Sequence, residues 1–187
     1  GYLWAQGDDN YKIRAMKPDG TFVFTVKTLM YDNVEQVLYV VDKYDSSDAM
    51  GVVYSLPFRT DYNSDSLLIL NEECKLGNGA NFMNPTGGDI SPDGKYVLVK
   101  NEGFTLIWTR EGEESIAETM ARRPKQVAAY KREMQGEAIA WLDSTTFYTT
   151  SDVGSGGAPI FIYTKNTNAV EDVTAASKVE PYKIMDT

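Results

Sequence analysis

The chain has 187 residues, of which 42% are hydrophobic and 12% aromatic, enough to bury a sizeable core in one domain or in part of a larger one. Its 27 acidic residues against 18 basic ones give a formal charge of −9, which excludes ordinary nucleic-acid backbone recognition and favours cations and basic partners. The longest strongly apolar run, Val37-Leu-Tyr-Val-Val41, is far shorter than the roughly 18 residues of a membrane span.

In chain order, residues 1–5 read as a strand, 7–10 as a turn, 11–16 as a second strand, 17–20 (Lys-Pro-Asp-Gly) as a tight turn and 21–27 as a third strand. Pro presets φ for such a turn and Gly accepts the positive φ that follows. These three strands read as the outer part of a sheet whose innermost strand is missing or is supplied by the other end of the chain. Strands then follow in Tyr39-Val-Val-Asp-Lys43 and Gly51-Val-Val-Tyr-Ser-Leu-Pro57, with an outermost strand over 66–70 and a Gly- and Asn-rich loop over 77–81. Tyr96-Val-Leu-Val-Lys100 and Phe104-Thr-Leu-Ile-Trp-Thr-Arg110 form the next pair. Residues 113–134 break the pattern, and their apolar spacing predicts a helical insertion with runs over 115–121 and 126–134 divided at Pro124. Phe147-Tyr-Thr-Thr150 and Ile160-Phe-Ile-Tyr-Thr-Lys165 make the third pair, and 179–185 offers one last strand.

The three pairs are copies of one unit. Each has an acidic residue ahead of it (Glu35, Asp89, Glu137) and an aromatic at a fixed place in its second run. Those aromatics, Tyr54, Trp108 and Tyr163, fall 54 and 55 residues apart. Units of this length built from short strands predict an all-β fold, a β-propeller with about four visible blades or a fragment of a larger ring.

Two absences limit the chemistry. Without histidine the chain can build neither a Ser-His-Asp nor a Cys-His catalytic group, nor a His-ligated zinc site. The single cysteine, Cys74, cannot form an internal disulfide, and nothing near it in sequence would activate the thiol.

Gly87-Gly-Asp-Ile-Ser-Pro-Asp-Gly-Lys-Tyr-Val-Leu-Val-Lys100 resembles the Ser-Pro-Asp-Gly blade hairpin of bacterial propellers of the TolB type. Together with Gly112-Glu-Glu-Ser-Ile-Ala117 and Gln135-Gly-Glu-Ala-Ile-Ala-Trp141 it resembles the secreted propellers grouped as phytase-like esterases, over residues 31–165. The resemblance implies an extracellular or periplasmic propeller, and implies an esterase only through the group's name.

In a radial array Glu35, Asp89 and Glu137 would converge on one rim of the central channel. Gathered carboxylates repel unless a cation neutralises them, and calcium suits flexible oxygen ligands. The alternative is that each carboxylate accepts backbone N–H groups of a neighbouring blade and holds the ring together without metal. Three functions follow as expectations. The first is a binding or structural module presenting loops to a protein or glycan. The second is a calcium-dependent phosphoesterase using Lys43, Lys100 and Asp152 on the same rim. The third is a subunit of an extracellular assembly, with oligomers as its mark.

Overall fold

The computed structural model describes residues 2–4, 12–17, 19–20, 26–42, 51–60, 67–77, 84–127, 130–152, 159–165, 179–180 and 182–184. It is mostly β, with one short helix among the described residues. No helix there is long and apolar enough to cross a membrane.

The strands fall into four sheets. Sheet I joins β1 (Tyr2–Trp4), β2 (Lys12–Met16) and β6 (Leu67–Ile69). Sheet II is β3 (Val26–Asp32), β4 (Val37–Asp42), β5 (Val52–Pro57) and β7 (Asn71–Lys75), every pair antiparallel. Sheet III runs β8 (Gly87–Ile90), β9 (Tyr96–Lys100), β10 (Thr105–Thr109) and β11 (Lys125–Val127), with β15 (Val179–Glu180) added in parallel at its outer edge. Sheet IV is β12 (Gly136–Trp141), β13 (Thr146–Ser151), β14 (Ile160–Lys165) and β16 (Tyr182–Ile184), again antiparallel throughout.

Local chemistry makes the hairpins. In the β8–β9 turn the Ser91 hydroxyl accepts N–H groups from Lys95 and Tyr96, while Asp93 accepts the Ser91 hydroxyl and the Lys95 N–H. Gly94 closes that turn at φ +70°, a conformation costly for any residue with a Cβ. Asp143 plays the same part between β12 and β13, accepting N–H groups from Thr145 and Thr146.

Strand alternation then sets the packing, because successive side chains point to opposite faces. Tyr39, Val41 and Val53 of sheet II meet Val97, Val99, Leu106 and Trp108 of sheet III in one core. Leu98 and Ile107, on the other face of sheet III, meet Phe147, Tyr163, Ile139 and Trp141 of sheet IV in a second. A third cluster, Val40, Val52, Tyr54, Leu56 and Leu70, lies on the face of sheet II nearer sheet I. There Lys17, just after β2, places its ammonium 3.3 Å from Asp42 and 5.4 Å from the Tyr54 ring centroid. The sheets therefore follow one another in the order I, II, III, IV.

The repeated aromatics explain this order. Tyr54 pairs with Val40, Trp108 with Val97 and Tyr163 with Phe147, so all three occupy the same station of a third strand. Each is buried and faces the preceding sheet.

Four expectations are corrected. Glu35 does not stand ahead of its repeat: the innermost strand there is β3, upstream of it and offset from the strand expected over 21–27, which leaves Glu35 in the β3–β4 turn over 33–36. Leu67–Ile69 belongs to sheet I beside β2, and Asn71–Lys75 is the outermost strand of sheet II. Among its described residues the insertion holds one helix, α1 (Ile116–Ala121), while Lys125–Val127 is a strand pairing with β10, because completing sheet III satisfies backbone groups on β10 that a second helix would have left open. The late strands β15 and β16 pair with β11 and β14, not with β1.

Helix α1 starts at a capping box, Ser115 accepting the Glu118 N–H and Glu118 accepting the Ser115 N–H. It buries Ile116 and Met120 in the core between sheets II and III.

Candidate functional site

The first strands β3, β8 and β12 lie side by side and run the same way. Glycine permits the close approach: a Cβ on Gly88 would meet Thr28 Cγ2 at 2.7 Å and Met30 Sδ at 3.0 Å, and one on Gly87 would meet the Glu137 carbonyl at 2.9 Å. Two residues further on, Asp89 Oδ2 accepts the Trp141 N–H at 2.8 Å, and Oδ1 accepts the Ile90 N–H at 2.9 Å. Burial pushes the Asp89 carboxyl above its ordinary range, against those two hydrogen bonds.

With that alignment the three expected metal residues separate. Glu35 stands in the turn beyond the end of β3, Asp89 lies within β8, and Glu137 stands near the start of β12. Glu35 and Glu137 are thus at opposite ends of the first strands, and the expected convergence on one rim is not found. Among the described residues no group of three or more His, Cys, Asp or Glu side chains is placed to hold a metal ion.

The residues nominated beside them also separate. Lys100 is fully buried, its ammonium 2.5 Å from Glu133 Oε2. Glu133 also accepts the hydroxyls of Tyr130 (2.9 Å) and Thr149. Burial lowers the Lys100 pKa against the attraction of Glu133, Glu137 and Glu102; burial together with Glu133 raises that of Tyr130. This cluster ties the segment before β12 to sheets III and IV, and Lys100 is not presented to a ligand. Asp152 is exposed, its N–H bonded to the Gln135 carbonyl, and Lys43 lies outside the described residues. Cys74 is idle: burial pushes its thiol up to about 11, and Sγ meets the Ala117 carbonyl at 3.4 Å.

The site that the geometry does build lies at the rim where the first strands end. The β3–β4 turn, the β8–β9 turn and the loop before α1 enclose a groove of about 450 Å³, lined by Val34, Glu35, Asp93, Gly94, Lys95, Arg110, Gly112, Glu113 and Glu114. Arg110 is its organiser. One guanidinium nitrogen lies 3.0 Å from both Asp32 Oδ2 and Glu35 Oε1, and the group donates to the carbonyls of Gly94 and Glu114. A fork of donors in one plane can bridge two sheets in this way, where a lysine could not. Glu35 also accepts the Tyr39 hydroxyl at 3.1 Å.

Four carboxylates thus share the groove with two cations, and one cation is already spent on Asp32 and Glu35. Although burial acts the other way, hydrogen bonds from Ser91, Ser144 and Lys95 hold Asp93 below its ordinary range, and those from Arg122, Glu111 and Thr119 do the same for Glu114. The groove is acidic at neutral pH. Sequence reasoning named Glu35 but missed Arg110, Asp93, Glu113 and Glu114; the clue was an arginine closing the strand Phe104-Thr-Leu-Ile-Trp-Thr-Arg110, one register position from the end of β9.

No family model matches the chain, and no curated protein matches it. Among solved structures it is similar to a chain of hydrazine synthase from Kuenenia stuttgartiensis, at 15% identity and a TM-score of 0.48, over 97% of this chain and 53% of that one. The chain spans about half the length of that neighbour. A likeness at this level carries neither fold nor activity across.

Proposed function

We propose that the chain is part of a β-propeller and acts as a binding module, taking a basic segment of a protein partner in the rim groove between sheets II and III. Three successive sheets, each with four antiparallel strands in chain order and with their first strands aligned, support the propeller reading. The binding reading rests on the groove itself, a concave site with more carboxylates than cations, in which Arg110 holds Glu35, Arg122 holds Glu114, and Asp93 and Glu113 face the single ammonium of Lys95. The chain's charge of −9 draws cationic partners to it.

The test is a fluorescence anisotropy titration with a labelled Lys/Arg-rich peptide. Glu113 is exposed, so Glu113→Gln removes groove charge at little cost to the fold. Binding that falls severalfold in that variant and weakens with added salt supports the reading. Absence of binding, or equal binding by the variant, rejects it.

Calcium is the other occupant expected of gathered carboxylates, although among the described residues no three acidic side chains are placed together to hold it. A melting temperature that rises with calcium in the wild type and not in Glu113→Gln would favour the ion over the peptide. A phosphoesterase would also need cations facing a substrate phosphate, and Lys100, nominated for that role, is buried against Glu133.

A further inference from the structure

We propose that the rim end of the seam between sheets III and IV is a phosphate-binding site, in which the ammonium groups of Lys95 and Lys165 take the oxygens of a phosphate group beside the Tyr96 ring.

The repeat places Lys165 where Arg110 stands. Arg110 comes two residues after Trp108 and Lys165 two after Tyr163, and strand alternation turns both toward the preceding sheet. Their backbones match as well, the Arg110 N–H donating to the Lys95 carbonyl and the Lys165 N–H to the Thr145 carbonyl, each just ahead of the second strand. Tyr39 and Tyr96 are equivalent in turn, each one residue before the partner of the repeated aromatic, Val40 or Val97. Between sheets II and III, Glu35 joins Arg110 to the Tyr39 hydroxyl. Between sheets III and IV, the Lys165 ammonium lies 5.1 Å from the Tyr96 ring centroid.

The two seams differ in their acids. Arg110 is neutralised by Asp32 and Glu35, both from the β3–β4 hairpin. Beyond the pair Met30 and Tyr39 that hairpin continues to Asp32 and Val37, whereas the β8–β9 hairpin turns at once after Ser91 bonds to Tyr96. The shorter hairpin has no place for Asp32, and the carboxylate of its turn, Asp93, accepts the hydroxyls of Ser91 and Ser144 and the Lys95 N–H. That turn instead brings a second cation: Lys95 is exposed, with its ammonium 5.6 Å from the same Tyr96 centroid. Among the described residues neither Lys95 nor Lys165 forms an ion pair.

Two ammonium groups at one ring repel each other. The ring face attracts both but carries no net charge to neutralise them, and an anion between them does. A phosphate monoester brings about −1.5 to −2 charges and three acceptor oxygens, which matches two cations better than the single charge of a carboxylate. Lysine serves this role as a point charge. The site lies on the other side of sheet III from the acidic groove, with Lys95 at the boundary between them.

Amide NMR of the isotope-labelled protein, titrated at constant ionic strength with inorganic phosphate and separately with methyl phosphate, tests this. Saturable shifts are expected at Lys95, Tyr96 and Lys165, with affinity reduced severalfold in Lys165→Gln. Lys95→Gln, in an exposed turn, is expected to do the same and replaces Lys165→Gln should the latter fail to fold. Lys131→Gln, which removes an exposed ammonium 4.7 Å from the Phe161 centroid, is expected to leave the affinity unchanged. Tighter binding of methyl phosphate assigns the site to a phosphorylated ligand, and equal binding assigns it to the phosphate group alone. Shifts that grow linearly without saturating overturn the proposal, as does a loss in Lys131→Gln equal to that in Lys165→Gln.

Discussion

The Asp89 carboxylate accepts the Trp141 amide N–H at 2.8 Å, joining the first strands of sheets III and IV by a side chain where no ladder of backbone bonds connects them. Asp89→Ala leaves that N–H without its acceptor at a buried seam, at a cost of about 1–3 kcal/mol. Asp89→Asn keeps an acceptor and costs less. Urea melts of the three proteins measure the difference.

The pH dependence of the same residue has a definite sign. Folding raises the Asp89 pKa, so the folded state binds more protons than the unfolded state between the two values. That contribution favours folding at acid pH and is lost as pH rises through the window above the ordinary carboxylate value. The wild type is therefore expected to gain stability relative to Asp89→Asn on acidification. A stability difference between the two that stays flat with pH would contradict the assignment.

Glu133→Gln strands the Lys100 ammonium in a fully buried position, and loss of one partner of such a pair costs about 3–5 kcal/mol. Replacing both by apolar residues, as in Lys100→Met with Glu133→Leu, is expected to recover part of that loss. A double variant no more stable than the single one would show that Tyr130 and Thr149, left without their acceptor, dominate instead.

Arg110→Ala removes the guanidinium from the buried Asp32 carboxylate and should cost about 3 kcal/mol, while loosening the turn that carries Glu35. Arg110→Lys is expected to restore little, since an ammonium cannot reach both carboxylates and both carbonyls at once. Thermal melts read the stability, and peptide binding reads the groove.

What the sequence disclosed was the repeat, and the reason lies in Tyr54, Trp108 and Tyr163. A large aromatic at a buried third-strand station must recur wherever the packing recurs, so its spacing survives in the sequence. The first strand β3 was harder to see, because Val26-Lys-Thr-Leu-Met-Tyr-Asp32 resembles neither Gly87-Gly-Asp-Ile90 nor the start of β12. Only contact with β8 defines its place. The strand Lys125–Val127 was hidden by a helical spacing that tertiary pairing with β10 overrode. Lys100 ended an apolar strand and was nominated as a rim residue for a substrate phosphate; its partner Glu133 lies 33 residues away, beyond the reach of any local pattern. The rim groove is likewise assembled from three separate loops, so no single motif announces it.

The most direct measurement is an amide chemical-shift map of the isotope-labelled protein titrated with the Lys/Arg-rich peptide. Binding in the rim groove predicts saturable shifts at Lys95, Gly112 and Glu113, with Gly136 and Glu137 at the far ends of the first strands unmoved. Shifts centred on Gly136 and Glu137, or none at any of these residues, would contradict it.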